Sequence, residues 1–240
     1  MATARGRLHE SVIRYVEDEL AASRLAPGSR LPGERALAEQ LGVGRTSVRE
    51  GIRVLEAMGV IRTSVGSGPE SGALVVADTS AGITAALRLH LASQTLPVSD
   101  IVETRVLLET WSVRQAARHT DGELWGAADR LLDAMDAPQL TPAEFLALDT
   151  DFHVTLARAS GNDVVAAIMT SLRESIEEYI VAAVQDLTDW PRMQRRLRRQ
   201  HRNIASAARD GDGDRAARLA AAHIAGFYAA TRPAVSAERG

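Results

Sequence analysis

Residues 31–62 constrain the fold more than any other stretch: Leu31-Pro-Gly-Glu-Arg-Ala-Leu-Ala-Glu-Gln-Leu-Gly-Val-Gly-Arg-Thr-Ser-Val-Arg-Glu-Gly-Ile-Arg-Val-Leu-Glu-Ala-Met-Gly-Val-Ile-Arg62. They read as two short amphipathic helices joined by a tight glycine-containing turn. The spacing predicts a helix over about 33–41, with Leu37, Ala38 and Leu41 on its buried stripe. Gly42 suits the left-handed position after that helix. A second helix is expected over about 45–57, with Val48, Ile52 and Leu55 facing a core. Its first turns carry Arg45, Thr46, Ser47 and Arg49. A helix-turn-helix presents such side chains from the start of its second helix to the DNA major groove.

The flanking sequence extends this unit. Leu8, Val12, Ile13, Val16 and Leu20 recur at helical spacing, so a first helix is expected over about 8–23. After Gly59 comes a strand-like run, Val60–Val65, then Gly66-Ser67-Gly68-Pro69 as a turn, then Ala73–Val76 as a second strand. Three helices followed by a hairpin make a winged helix, with Gly66 and Gly68 at the wing tip allowing close approach to a phosphate. Arginine offers bidentate contacts to guanine or phosphate, and Thr46 and Ser47 offer hydroxyl donors. The competing reading is that Arg45, Arg49 and Arg53 form a solvated helix face paired with Glu50 and Glu56.

Charge is a weak guide. All 28 basic residues are arginine. Residues 1–77 hold 10 Arg against 9 Asp and Glu, a net of +1, while residues 78–240 carry a net of −4. The case for DNA therefore rests on where the arginines sit rather than on bulk charge. Cysteine is absent, which excludes a disulfide framework and thiolate metal sites. No run approaches the roughly 20 apolar residues of a membrane span, and the start of the chain lacks the apolar core of a signal peptide. A cytoplasmic protein without membrane association is expected.

From about Ser80 onward only helical periodicity is found. Helices are expected over about 80–94, 99–119, 121–136, 142–159, 163–187, 191–209 and 212–231. Thr120-x-x-Glu123 and Thr141-x-x-Glu144 read as capping boxes, and Pro142 fits a first helical position. The expected architecture is mostly α: a winged helix-turn-helix over 1–77 and an all-α bundle over 78–240. Within the bundle, Asp149 and His153 are i and i+4 on one helical face, His201 lies in a later helix and His223 in the last. One carboxylate and three imidazoles suit a divalent ion such as Zn²⁺, Ni²⁺ or Mn²⁺. On spacing alone, a helical histidine is more often a surface or hydrogen-bonded core residue than a ligand. Asp151 points away from His153 at i and i+2, so Asp149 is preferred.

The N-terminal segment resembles the GntR family of bacterial transcription regulators. The matching residues are Leu31-Pro32-Gly33-Glu34-Arg35, Leu37-Ala38, Gly42-Val43, Arg45-Thr46-Ser47-Val48-Arg49-Glu50 and Leu55-x-x-x-Gly59. The family usually has Ser or Thr where Gly33 stands, which removes a capping hydroxyl. The resemblance implies DNA contacts from Arg35, Arg45, Thr46, Ser47, Arg49 and the wing's Gly66. Pro69-Glu70-Ser71-Gly72 departs from the family's compact wing. Residues 80–232 are similar to the all-helical FCD effector domain of the FadR-type branch. The matches are Arg105-x-x-Leu108-Glu109, Asp149-Thr-Asp-Phe-His153, Ala159-Ser160-Gly161-Asn162 and His201-Arg-Asn-Ile-Ala-x5-Gly211-Asp212, followed by Ala220-Ala-Ala-His223. Metal-binding members of that branch use an Asp and three His in this order, so the resemblance implies a metal at Asp149, His153, His201 and His223.

Three His and one Asp leave open positions on a five- or six-coordinate ion, which a carboxylate ligand can complete. Arg105 is the candidate second clamp on that carboxylate, with an i+4 ion pair to Glu109 as its competing role. The expected protein is a homodimeric regulator, in sign a repressor. It would bind a palindromic operator and respond to a small carboxylic acid (a sugar acid, hydroxy acid or dicarboxylate) bound beside the metal. Two other readings compete: a metal-dependent enzyme fused to a DNA-binding head, for which no convincing general base is found, and a regulator whose metal is purely structural.

Overall fold

A computed structural model describes residues 2–64, 72–76, 78–119, 122–185, 187 and 189–237. The chain divides into two units, Met1–Ile83 and Thr84–Gly240.

The first unit contains α1 (Ala2–Ala21), α2 (Glu34–Leu41), α3 (Arg45–Ala57), β1 (Ile61–Ser64) and β2 (Gly72–Val75). Helix α2 starts after Gly33 without a side-chain cap and ends at Gly42, whose φ of 64° is the left-handed geometry expected there. The tight turn is thus made by a residue that bears no Cβ penalty. Strands β1 and β2 pair antiparallel, Ile61 opposite Val75 and Ser64 opposite Gly72. Segment 28–31 pairs with the other edge of β2: Leu31 N–H donates to Ala73 O and Val75 N–H to Ser29 O. The core gathers the stripes expected from the sequence, with Val12 and Val16 of α1, Leu37 and Ala38 of α2, and Val48, Ile52 and Leu55 of α3, closed by Ile61 and Val75. This is a winged helix-turn-helix. The expected wing turn at 66–69, Gly66 included, lies outside the described residues.

The second unit is all-helical. Helix α4 (Ala81–Ala92) crosses into it, followed by α5 (Val98–Ala116), α6 (Gly122–Met135), α7 (Pro142–Ala159), α8 (Asp163–Gln185), α9 (Trp190–Arg209) and α10 (Gly213–Ala237). Each lies within a few residues of its expected span, except that α10 runs to Ala237, six residues past the expected end near 231. Helix α7 starts in a complete capping box: Thr141 Oγ1 accepts from Glu144 N–H, and the Glu144 carboxylate accepts from Thr141 N–H. Thr120 of the other expected box lies outside the described residues. Two large apolar clusters share the interior with a small one at Ala157, Ala166 and Met169. One joins Phe145, Phe152 and Leu156 of α7 to Leu197 and Ile204 of α9 and the alanines of α10. The other joins Ile101 and Val102 of α5 to Leu172, Ile176 and Ile180 of α8 and Ile224 of α10. Among the described residues no helix is long and apolar enough to cross a membrane.

In the first unit, Gly51 lets α3 approach α1. A Cβ at that position would lie 2.6 Å from Val12 Cβ, inside any real carbon–carbon contact. Gly51→Ala is therefore expected to destabilise this unit by about 1–3 kcal/mol, the range for overpacking. Urea unfolding of the variant, followed by far-UV circular dichroism, checks it.

Candidate metal centre and DNA-reading helix

The second unit's interior carries a buried polar cluster because charged residues occupy stripe positions otherwise held by apolar ones. On α7 the buried face runs Phe145, Leu146, Asp149, Phe152, His153 and Leu156. On α9, His201 sits between Leu197 and Ile204. His223 of α10 lies beside buried Ala220 and Ile224. Helix α5 places Arg105 and Glu109 on its buried face, and α8 places Arg173 between Leu172 and Ile176. Period-3.6 burial thus aims five helices' polar side chains at one point.

Four donor atoms converge there. His201 Nε2 lies 2.9 Å from Asp149 Oδ1 and 3.3 Å from His223 Nε2. His153 Nε2 lies 3.3 Å from His223 Nε2 and 3.9 Å from Asp149 Oδ1. One ligand atom from each of the four residues falls within 4.8 Å of every other. Donors sharing one ion at bond lengths of about 2.0–2.2 Å lie roughly 3–3.6 Å apart when adjacent, and up to about 4.3 Å apart when opposite. The donor set fits a single divalent ion.

The hydrogen bonds behind the rings support that fit. Glu109 Oε2 lies 2.5 Å from His153 Nδ1, and a carboxylate only accepts, so Nδ1 carries the proton and Nε2 turns its lone pair inward. Gln200 Oε1, 3.2 Å from His223 Nδ1, orients that ring the same way. Metal-bound histidines use their second nitrogen like this. Without a cation, His153 and His223 face each other lone pair to lone pair. His201 Nδ1 is buried with no partner among the described residues.

Electrostatics keep the His153 and His223 rings neutral. Burial, then the nearby Arg173 guanidinium, pushes His153 down to about 4, against the opposing pull of Glu109. Burial pushes His223 well below the usual imidazole range, and the two neighbouring histidines add to it. Burial disfavours the charged form of Glu109, but Arg173, His153 and Arg105 outweigh it, so its carboxyl sits well below the ordinary value. Burial also disfavours the charged form of Asp149, but the His201 hydrogen bond and the Arg173 guanidinium outweigh it, so its carboxyl too sits well below the ordinary value. Neutral imidazoles and ionised carboxylates are the forms that ligate metals.

Both roles read for Arg105 from the sequence have a geometric basis. Its Nε donates to Glu109 Oε1 at 3.1 Å. It also lines a cavity beside Asp149, His223, Arg173 and Tyr228, with Ile180 and Phe227 among its apolar walls. Asp151, set aside in favour of Asp149, is exposed. Sequence reasoning missed Arg173, which bridges the two buried carboxylates: Nη1 donates to Asp149 Oδ2 at 2.8 Å and Nη2 to Glu109 Oε1 at 3.1 Å. Glu109 was seen only as a possible partner of Arg105. Both carried a legible signal, a charge inside an apolar helical stripe.

In the first unit, Arg45, Thr46 and Arg49 are exposed on α3, and Ser47 is half-buried. Arg35 is exposed on α2 and pairs with Glu39 at i+4. The acidic partner of the α3 arginines differs from the expected Glu50 and Glu56. It is Glu34 of α2, 2.7 Å from Arg49 Nε and 3.6 Å from Arg45. Glu56 instead accepts from the backbone N–H and the hydroxyl of Thr63, tying α3 to β1.

Comparisons with known proteins agree with this architecture. The model for "Bacterial regulatory proteins, gntR family" matches residues 8–69, and the model for the FCD domain matches residues 100–226. The Glc operon transcriptional activator of Escherichia coli K12 is 31% identical over 214 residues, covering 86% of this chain and 82% of its own length. The HTH-type transcriptional repressor NanR of Enterobacter sp. strain 638 is 28% identical over 223 residues, 92% of this chain and 84% of its own. Among solved structures, a GntR protein of Streptococcus agalactiae aligns with TM-score 0.68 at 24% identity, over 91% of this chain and 97% of that one. The chain belongs to the GntR family of bacterial transcription regulators, in the branch with a C-terminal FCD domain. It is a DNA-binding regulator, and its relatives are regulators rather than enzymes.

Removing one partner of a buried ion pair leaves the other charge uncompensated. Arg173→Met strips Glu109 and Asp149 of their shared cation. It is expected to cost about 3–5 kcal/mol of the second unit's stability, read by denaturant unfolding of metal-free protein.

Proposed function

We propose that this protein is a metal-dependent, ligand-released repressor. The observation that carries the reading is the convergence of Asp149, His153, His201 and His223, with Asp149 and His223 at the wall of a cavity that Arg105 and Arg173 also line. The four residues hold one divalent ion, with Zn²⁺, Ni²⁺ and Mn²⁺ matching a set of three imidazoles and one carboxylate. The ion supplies a Lewis-acidic attachment point for an oxygen ligand. Arg105 donates only through Nε to the protein, among the described residues, so its terminal amines serve as the second clamp on a carboxylate.

Charge balance supports an anionic effector. Arg105 and Arg173 offset Glu109 and Asp149, so the buried cluster is neutral before a divalent ion adds two positive charges. A small carboxylic acid (a sugar acid, hydroxy acid or dicarboxylate) meets that excess, and the apolar walls receive its carbon skeleton. The cavity beside Asp149 and His223 favours this reading over a purely structural metal.

At the other unit, Arg35, Arg45, Thr46, Ser47 and Arg49 contact the operator, with Gly66 approaching it from the wing. A homodimer reads two half-sites of a palindrome. The exposed apolar side chains Leu107 and Trp111 of α5 and Val164 of α8 support self-association of the second unit. The bacterial cytoplasm is the compartment this function requires. The effector acts by its difference in affinity for the DNA-competent and released states. The named relatives include an activator and a repressor, so the sign rests on DNA release: an acid that loosens the operator complex marks a repressor, and one that tightens it overturns that sign.

Metal content and thermal shift across a panel of carboxylic acids test the effector site. About one ion per chain is expected, lost in His201→Ala, with one acid stabilising only the metal-loaded parent. A parent that takes up no metal from metal-replete, chelator-free buffer overturns the site. Glu109→Gln, which keeps the shape and loses the charge behind His153, is expected to weaken metal binding about 10–100-fold, measured by competition with a chromogenic chelator. Arg49→Ala is expected to weaken binding to the duplex enriched from a randomised library by about 1–3 kcal/mol, measured by fluorescence anisotropy.

A further inference from the structure

We infer that Glu34 sets DNA selectivity, by occupying the anion position of the reading arginines when no operator is present and by aiming Arg49 when one is. The inference rests on the DNA contacts proposed above for Arg45 and Arg49. Glu34 opens α2, and its Oε2 atom takes both contacts: 2.7 Å from Arg49 Nε and 3.6 Å from Arg45 Nη2. The three side chains are between one-third and two-thirds exposed, so DNA has free access to them.

Two consequences follow from this arrangement. First, a carboxylate and a phosphate compete for the same guanidinium donors. Two arginines sharing one glutamate present a net charge of one rather than two to any duplex. Random DNA offers chiefly its phosphates, so it binds this face more weakly than two free arginines would allow. Second, the contact engages Arg49 through Nε and leaves Nη1 and Nη2 without a partner among the described residues. Those two donors form one edge of the guanidinium fork, the edge that pairs with guanine O6 and N7. A side chain held at Nε loses less conformational freedom when it reads a base. Glu34 therefore penalises non-cognate duplexes and offsets its own charge on the operator. The protein contributes only 10 arginines against 9 acidic residues over positions 1–77, so one carboxylate among the reading arginines changes that balance appreciably.

The test compares the full-length parent with Glu34→Gln on two duplexes, the sequence enriched by the parent from a randomised library and a scrambled duplex of equal length, across a salt series. Glu34→Gln is expected to bind the scrambled duplex about three- to tenfold tighter at low salt, with a log–log salt slope steeper by about 0.9, the value of one further neutralised phosphate. Affinity for the enriched duplex rises less or falls, so the ratio of the two affinities shrinks. In an Arg49→Gln background, the effect of Glu34→Gln on the enriched duplex shrinks as well. An unchanged scrambled-duplex affinity and slope overturns the inference. So does a parallel loss on both duplexes with a lowered melting temperature, because that marks Glu34 as a residue needed only to form α2. Glu34→Asp, which keeps the charge on a shorter side chain, restores the parent's salt slope if charge competition is the cause, and a slope like that of Glu34→Gln counts against it. If Arg49→Gln alone leaves the enriched duplex bound as in the parent, the failure lies in the proposed DNA contacts rather than in Glu34.

Discussion

The second unit is organised around buried Glu109. Its carboxylate receives Arg105 from its own helix, Arg173 from α8 and the His153 ring from α7. An isolated carboxylate in an apolar interior is untenable, and breaking a buried pair is more costly than never having made it. The partners are therefore interdependent. Arg173 extends the chain of contacts to Asp149, which reaches His201 on α9, which touches His223 on α10. One run of charges and rings thus links five helices that otherwise meet mainly through non-directional apolar packing, with the exposed Arg114–Asp214 pair as an exception.

That organisation has a chemical consequence. Glu109, which orients His153, is also the carboxylate that Arg105 and Arg173 neutralise, so the protein itself arranges the candidate donors. Glu109 makes His153 a lone-pair donor toward the centre, and Gln200 does so for His223. The cavity opens beside this centre rather than through it, with Arg105 on its wall and aliphatic side chains opposite.

The first unit follows a different logic. Its core is wholly apolar and its charges stay outside, where ion pairs are worth little to stability. The exposed contacts among Glu34, Arg45 and Arg49 therefore bear on what the surface binds rather than on whether it folds. The turn at Gly42 and the close approach at Gly51 set where that surface points, because they position α3 against α2 and α1.

The sequence by itself determined the helices, the wing strands and the identity of the metal-ligand candidates. Periodicity of 3.6, glycine stops and the Thr141 capping box are local signals, and local backbone preference is what they report. Asp149 and His153 were legible because one helix turn brings them together; His201 and His223 were singled out from later helices, and the resemblance to a known family strengthened the metal reading of all four. Only the tertiary structure decided which charges meet. Glu109 and Arg173 are 64 residues apart, and nothing local distinguishes Arg173 from the solvated arginines of this lysine-free chain, except that it interrupts an apolar stripe. Glu34 lies 15 residues before Arg49, and the sequence assigned the α3 arginines to acids on their own helix. Helical spacing ranks partners within a helix, but a charge pairs with whichever opposite charge packing delivers. That choice is made by the way helices stack, which no single stretch of sequence contains.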